Sequence, residues 1–397
     1  MKKLINYFLY ILDLISPKDR NTFLFLSFPD VSDNAFSMFK YLFDSYKNEN
    51  KRYIWLINDI DKKDEYLNMI YECLYIEKSD LKKIIFIKKN SVLGILKYYQ
   101  SKYIFYTHGL YPGLKYSKKH IIVNLWHGMP LKRIGLLLDN KNPNIPKSDF
   151  VIATSVFFQN YMAKAFGVDL NSVLVSGQPR NDLLLEKVDY LKRFNINKEK
   201  YKKIFLWTPT YRQSIIGYTG LDGELNDGLP VISENYDLLN QELKRLNAFM
   251  IIKLHPMDVL NNKKFNKFSN LLFLKNEDFE KKYCQLYNIL ANVDILITDF
   301  SSIYIDFLLL NRPIGFVMED FDSYSNSRGL IIENPKEYMP GEFVSSELEL
   351  FSFLNSCVND QDDFIKQREK VRNLYHDHDK DFAKNIWTNI VEFERSL

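Results

Sequence analysis

Short apolar runs alternate along the chain with longer stretches in which apolar positions recur every three or four residues. Residues 22–28 read as a strand and 35–46 as a helix. Strands follow at 52–57, 103–106 and 120–125, the last running into a turn over 127–130 that holds Gly128 and Pro130. A short strand at 150–153 precedes a helix at 156–165. The pattern then restarts with a charged helical stretch over 186–203, a strand at 204–207 and a helix near 236–246. Strands at 249–253, 271–273, 295–298 and 314–317 complete it, and 360–397 reads as charged helices that close back over the body. Strands alternating with helices predict an α/β class with parallel sheets. Two successive runs predict two Rossmann-like domains facing a cleft, an N-terminal one over 1–185 and a C-terminal one over 186–380, with a helical tail over 381–397. Ligands then belong at the carboxyl ends of the strands.

The most apolar segment is 4–16, preceded by Lys2 and Lys3. It is shorter than the roughly 18 to 20 residues of a membrane span. It carries Asp13 and lacks a small-residue cleavage site before Pro17, so it is a poor signal peptide. Two readings stay open: a first helix packed on a domain, or a helix lying in the membrane surface with its lysines near anionic head groups.

Composition narrows the classes. Of 397 residues, 46% are hydrophobic and 26% charged, which excludes disorder as the main state. The 53 basic and 50 acidic side chains leave a formal charge of +3, which argues against a dedicated nucleic-acid binder. Cys73, Cys284 and Cys357 are far apart, with no CxxC pair, so neither a disulfide framework nor a structural zinc site is expected. The 30 Phe and 26 Tyr fit an AT-rich coding genome, or a surface of amphipathic aromatics at a lipid interface.

Candidate chemistry clusters where strands end. In "DILITDFSSIYIDFLLLNRPIGFV" a strand ends at Thr298, and Asp299, Ser301 and Ser302 open a helix. The hydroxyls either cap that helix or cradle a phosphate favoured by its dipole. Asp306 stands one turn after Ser302, as a ribose contact or as a solvated carboxylate. In "NLWHGMPLKRIG" a buried-looking strand runs into His127, a natural general base near neutral pH. Gly128 permits close backbone approach there, and Lys132 and Arg133 suit an anionic group. In "FMIIKLHP" a strand ends in Lys253 and then His255. "SGQPRND" places Arg180 and Asn181 in a turn, and "LWTPTYR" ends a strand with Thr208, Thr210 and Arg212. Each of these turns either binds phosphate or is plain turn chemistry. Weaker signals are a loop over 215–230 long enough for a lid, the Asp59 and Asp61 pair of "NDID", and "HDHD" at 376–379.

Taken in order, "NLWHGMPLKRIG", "SGQPRNDLL", "TPTYR", "KLHP", "TDFSSIYIDFLLLNRPIGF" and "DFDSYSNSRG" resemble the CDP-glycerol glycerophosphotransferases. These enzymes build teichoic acids and related glycerol-phosphate or ribitol-phosphate polymers. The resemblance covers roughly 23–384. It implies two domains of the glycosyltransferase B kind and peripheral attachment at the cytoplasmic face of a bacterial membrane, with no metal and no cofactor. Position by position, it implies His127 as base and His255 as the second essential histidine near the donor pyrophosphate. It makes Ser301 and Ser302 the pyrophosphate cradle with Thr298 beside it, and Asp306 the ribose contact. Arg180 and Asn181 match a motif lining the cleft. Met129, Phe300, Tyr211 and the Asp379–Lys380 pair depart from the common family residues and leave the polyol open.

The expected reaction moves glycerol phosphate from CDP-glycerol to a hydroxyl of a lipid-linked saccharide or growing polymer and releases CMP. Lys253, Arg212 and His255 would offset phosphate charge, and Gly128, Lys132, Arg180 and Asn181 would lie on the acceptor side. The length, without the extra N-terminal region of the longer polymerases, resembles a primase. The alternatives are a short polymerase, a capsule enzyme using CDP-ribitol or another CDP-polyol, a sugar-nucleotide glycosyltransferase on the same fold, and a non-catalytic nucleotide-binding protein. Expected partners are the donor, the acceptor and a membrane surface but no nucleic acid, and assembly as a homo-oligomer is left open.

Overall fold

A computed structural model describes residues 2–111, 113–138, 145–209, 229–232, 235–254, 267–318, 331 and 334–396. The chain divides into two compact units. The first holds Met1–Met129, Ile134–Leu185 and Tyr375–Leu397, and the second holds Pro130–Arg133 and Glu186–Leu374.

The first unit is built on seven strands: β1 (Asp19–Leu26), β2 (Arg52–Ile57), β3 (Ile84–Lys88), β4 (Ser101–Tyr106), β5 (Ile121–Asn124), β6 (Phe150–Ala153) and β7 (Val173–Val175). They pair in parallel in the order β3-β2-β1-β4-β5-β6-β7. Strands covered on both faces read as continuous apolar runs, which is why the pattern was legible. Alternate residues then enter opposite cores. Phe23, Phe25, Tyr53, Trp55 and Phe105 pack on one face, and Leu24, Leu26, Ile54, Leu56 and Ile104 on the other.

The first face is closed by the chain's last helix, Phe382–Ser396, which contributes Ala383, Ile386, Trp387 and Ile390. Trp387 meets Phe23 and Tyr103 edge-on at 5.5 and 5.0 Å between ring centroids. Its indole N–H donates to Tyr46 Oη at 2.8 Å. Asp182 accepts from the backbone N–H groups of Phe382 and Ala383, both at 3.0 Å, and so fixes the start of that helix.

The second unit carries β8 (Lys203–Trp207), β9 (Ala248–Lys253), β10 (Leu271–Leu274), β11 (Ile295–Thr298), β12 (Ile314–Val317) and β13 (Glu342–Val344). All pair in parallel, in the order β10-β9-β8-β11-β12-β13. Each sheet therefore reverses its winding once, at β1/β4 in the first unit and at β8/β11 in the second. Ligands of doubly wound sheets bind outside the strand ends at such points.

The stretch over 186–203 is not the regular helix its charge pattern predicts. It forms short 3-10 turns at Tyr190–Phe194 and Lys198–Lys200. Asp189 and Asn197 accept from N–H groups two residues on, and Asn195 adopts a left-handed φ of 60°. These side-chain turns satisfy the backbone locally and break the helix. The segment 4–16 is helical over Lys2–Ile15.

Candidate active site

The switch point of the first sheet holds two histidines. β4 delivers Thr107 and His108, and β5 delivers Leu125, Trp126, His127 and Gly128. Tyr106 pairs with Asn124, so the two carboxyl ends lie side by side. Asn124 Oδ1 accepts from the Trp126 N–H at 2.9 Å and tightens the exit from β5. Trp126 takes a φ of 47°, and Gly128 takes 139°, a conformation open to little besides glycine.

This turn lays the His127 ring on the His108 ring. Their planes are 17° apart with centroids at 3.8 Å. The Trp126 ring lies 3.8 Å from that of His127 and is itself met edge-on by Phe166 at 4.8 Å. His127 Nδ1 is buried and has no hydrogen-bond partner among the described residues. Burial pushes the His127 imidazole well below its ordinary pKa, and His108 and the Arg180 guanidinium push it further down. Burial lowers His108 too, against the pull of Asp33. His127 is therefore neutral at pH 7, with a ring nitrogen able to accept a proton.

The backbone of this turn is tied to the second helix, Asp33–Ser45, and to the segment after β7. Asn34 Nδ2 donates to the carbonyls of Leu125 and Trp126 at 3.0 and 3.1 Å and to Gln178 Oε1 at 3.2 Å. Asn34 Oδ1 accepts from Arg180 N at 3.1 Å. Arg180 Nη1 donates to Asp33 Oδ1 at 2.8 Å and to the His127 carbonyl at 3.0 Å. Asn181 is fully buried beside it, with its N–H on the Gln178 carbonyl. Arg180, Asn181, Gly128 and His127 therefore form one cluster. Lys132 is half-buried in the Pro130–Arg133 stretch, which belongs to the second unit.

In the second unit the strand ends at the switch point carry hydroxyls. Thr208 Oγ1 donates to Thr298 Oγ1 at 3.2 Å, and Thr298 Oγ1 donates to the Thr208 carbonyl at 3.1 Å. Thr298 is fully buried, so it braces the two strand ends. Ser301 and Ser302 follow and are partly exposed, just ahead of the helix Ile303–Phe307. Ser302 occupies the N-cap position, yet its side chain makes no capping hydrogen bond.

Asp306 is placed differently from the expectation. It is fully buried, and Tyr287 Oη donates to its Oδ2 at 2.5 Å. Its helix turns it inward, toward Tyr287 on the neighbouring helix Leu286–Asn292, so it is neither solvated nor presented to a ribose. Lys253, at the end of β9, donates to the Leu254 carbonyl at 2.6 Å and lies over the Phe279 ring. His255, Thr210, Arg212 and residues 215–228 of the loop lie outside the described residues.

The weaker candidates are structural. Asp59 accepts from the Asp61 N–H and caps a 3-10 turn. In "HDHD", Asp377 Oδ2 accepts from Val156 N at 3.0 Å and His378 Nε2 meets the Val175 carbonyl at 3.0 Å. His376 is buried and His378 half-buried, while Asp377 and Asp379 stay exposed. Among the described residues no three His, Cys, Asp or Glu side chains group as metal ligands, and no helix is long and apolar enough to cross a membrane.

His108, Asn34 and Tyr287 carry no mark in the motif reading. His108 had one available signal. "YTHG" after β4 repeats the His-Gly of "LWHG" after β5, two buried strands each ending in the same dipeptide.

Comparison with known proteins places this geometry. The family model for CDP-glycerol:poly(glycerophosphate) glycerophosphotransferase matches residues 8–392. A teichoic acid glycerol-phosphate transferase of Staphylococcus aureus is 24% identical over 395 residues, covering 93% of this chain and 92% of that protein. A teichoic acid poly(glycerol phosphate) polymerase of Bacillus spizizenii is 25% identical over 385 residues, covering 90% and 88%. The solved structure of the wall teichoic acid polymerase TagF superposes with a TM-score of 0.74 at 21% identity, covering 99% of this chain and 95% of that one. At that identity the likeness speaks for the fold.

Proposed function

The chain belongs to the CDP-glycerol:poly(glycerophosphate) glycerophosphotransferase family, and we propose that it adds glycerol phosphate from CDP-glycerol to a hydroxyl of a lipid-linked saccharide, with His127 as the general base. The observation that carries the assignment of the base is His127 at the carboxyl end of β5, stacked on His108 beside the β1/β4 switch point. The acceptor oxygen forms a bond to the phosphorus that bears the glycerol. The bond from that phosphorus to the bridging oxygen breaks, and CMP leaves with the electron pair. The hydroxyl proton passes to His127.

Attack at phosphorus spreads charge over phosphoryl oxygens, so the protein's task is positioning and charge stabilisation. Ser301 and Ser302 supply hydroxyl donors for the pyrophosphate, and Thr298 braces the strand end beside them. His255, Arg212 and Lys253 are assigned to the donor's charge by motif. Gly128, Arg180 and Asn181 shape the His127 turn, and Lys132 is assigned to the acceptor by its position in the same motif. Asp306 is reassigned from ribose contact to internal support of the serine-bearing helix.

A lipid-linked acceptor requires a membrane surface, and the first unit offers an apolar one. On the helix Lys2–Ile15, Tyr7, Phe8, Ile11 and Ile15 are exposed, with Ile15 at 72%. The neighbouring helix Val92–Gln100 exposes Val92, Leu93 and Leu96, with Val92 at 86%. Adjacent exposed apolar side chains on two helices suit the interfacial region of a bilayer, which supports peripheral attachment.

The test is CMP release by the purified protein from CDP-glycerol and a lipid-linked disaccharide, with His127→Ala alongside and products sized by mass spectrometry. One added unit, lost in the variant, establishes a primase, and a ladder establishes a polymerase. Absence of CMP overturns the donor assignment.

A further inference from the structure

The transfer step above uses His127 and leaves its stacked neighbour without a role. A histidine that takes a proton on one nitrogen is usually oriented by a hydrogen bond at the other. His127 lacks that device at Nδ1 among the described residues. Besides a hydrogen bond to the Thr107 backbone, what holds the ring is flat contact. His108 lies parallel to it at 3.8 Å, and Trp126 meets it at the same centroid distance. His108 is in turn fixed at the end of β4. Its Nδ1 is 3.2 Å from Thr107 Oγ1, and the Phe28 ring meets it edge-on at 6.3 Å.

We infer that His108 is a positioning residue for the transfer step: its ring, stacked on His127, fixes the plane of that imidazole alongside the hydrogen bond to the Thr107 backbone. The inference rests on the reading of His127 as base. It also carries an electrostatic consequence, because two imidazoles at this separation resist being charged together. The other charged groups facing the pair are Arg180, at the His127 carbonyl, and Asp33, paired to Arg180. Lys89 lies beyond them, with its ammonium against Gly109, the residue after His108. Removing His108 removes a ring that competes for a proton and lets His127 bind one more readily, so its titration moves to higher pH.

Two variants separate the parts of this role. His108→Phe keeps a flat ring and removes the nitrogens, and His108→Ala removes both. The expected result is a kcat about 10- to 100-fold lower in His108→Ala, with the KM for CDP-glycerol nearly unchanged, and substantial recovery in His108→Phe. In the free protein the His127 imidazole, followed by NMR, should titrate at higher pH in both variants. Equal losses in the two variants, or a His127 titration unmoved in both, overturn the inference. His127→Ala tests the underlying reading separately. If that variant turns over normally, His127 is not the base, and the NMR titration still decides whether His108 controls it. A thermal melt of His108→Phe close to that of the native protein checks that the comparison is made between folded proteins.

Discussion

Arg180 Nη1 donates to the backbone carbonyl of His127 at 3.0 Å, while the same atom donates to Asp33 Oδ1 at 2.8 Å. Residues from three separate segments thus converge on the turn that carries the base. Asn34 adds three donor contacts to the same assembly, two of them to the carbonyls of Leu125 and Trp126. The His127 ring is held by stacking and its backbone by a guanidinium.

Arg180→Lys should therefore impair turnover more than folding. Lysine keeps the charge but cannot divide its donors between a carboxylate and a carbonyl in one plane. We expect kcat to fall about 10-fold, with a melting temperature close to native. Arg180→Ala leaves Asp33 facing buried polar backbone and should lower both. Wild-type kcat in Arg180→Lys would show that the guanidinium does not position the turn.

Ser301→Ala and Ser302→Ala should act on donor binding. A hydrogen bond to a charged phosphate contributes about 1.5 to 3 kcal/mol, so each change should raise the KM for CDP-glycerol about 10-fold or more. Asp306→Asn should behave differently. Its carboxylate is enclosed and bonded to Tyr287, so the expected loss is in the thermal melt, with a smaller effect on KM. A selective rise in KM with an unchanged melt would restore the ribose assignment.

Asp13 anchors the first helix. It is fully buried, with Lys18 Nζ at 2.5 Å and His120 Nε2 at 2.6 Å from its Oδ1, and the Ser117 N–H on Oδ2. Burial alone would raise its pKa, but the bonds from His120 and Lys18 outweigh it and hold the carboxyl well below its usual range. A depressed carboxylate contributes stability that is present above the ordinary carboxylate pKa. That stability is lost as the pH falls through the folded value, so the window opens near pH 4 and runs downward. Asp13→Asn should cost about 3 kcal/mol at neutral pH and flatten the acid limb of a urea-unfolding profile. An acid limb identical to the native one would remove Asp13 from the account.

The exposed face of the same helix can be tested without disturbing its anchor. Tyr7→Ser, Phe8→Ser and Ile15→Ser combined should lower partitioning onto anionic phospholipid vesicles about 1000-fold or more, since each apolar side chain contributes about 1.5 to 3 kcal/mol when buried. The melting temperature should barely move. Undiminished vesicle binding would place the membrane contact elsewhere.

The sequence by itself determined the α/β class, the strands at the middle of both sheets and the residues at their carboxyl ends. Its warrant was local: strands buried on both faces are apolar throughout, and glycine, serine and histidine at their ends mark turns open to a ligand. The short edge strands Ile84–Lys88, Val173–Val175 and Glu342–Val344 left too little pattern to read. Periodicity also reports that a residue is buried without saying what it is buried against. The tertiary structure alone decided that His108 stacks on His127, that Asp306 turns to Tyr287, and that Asp13, read as a mark against a signal peptide, is the helix's internal anchor. It alone decided that Trp387 completes the first unit's core from the far end of the chain. Each of these contacts joins residues whose separation along the chain carries no repeating signal. Their energy comes from packing and desolvation that exist only once the sheets have formed.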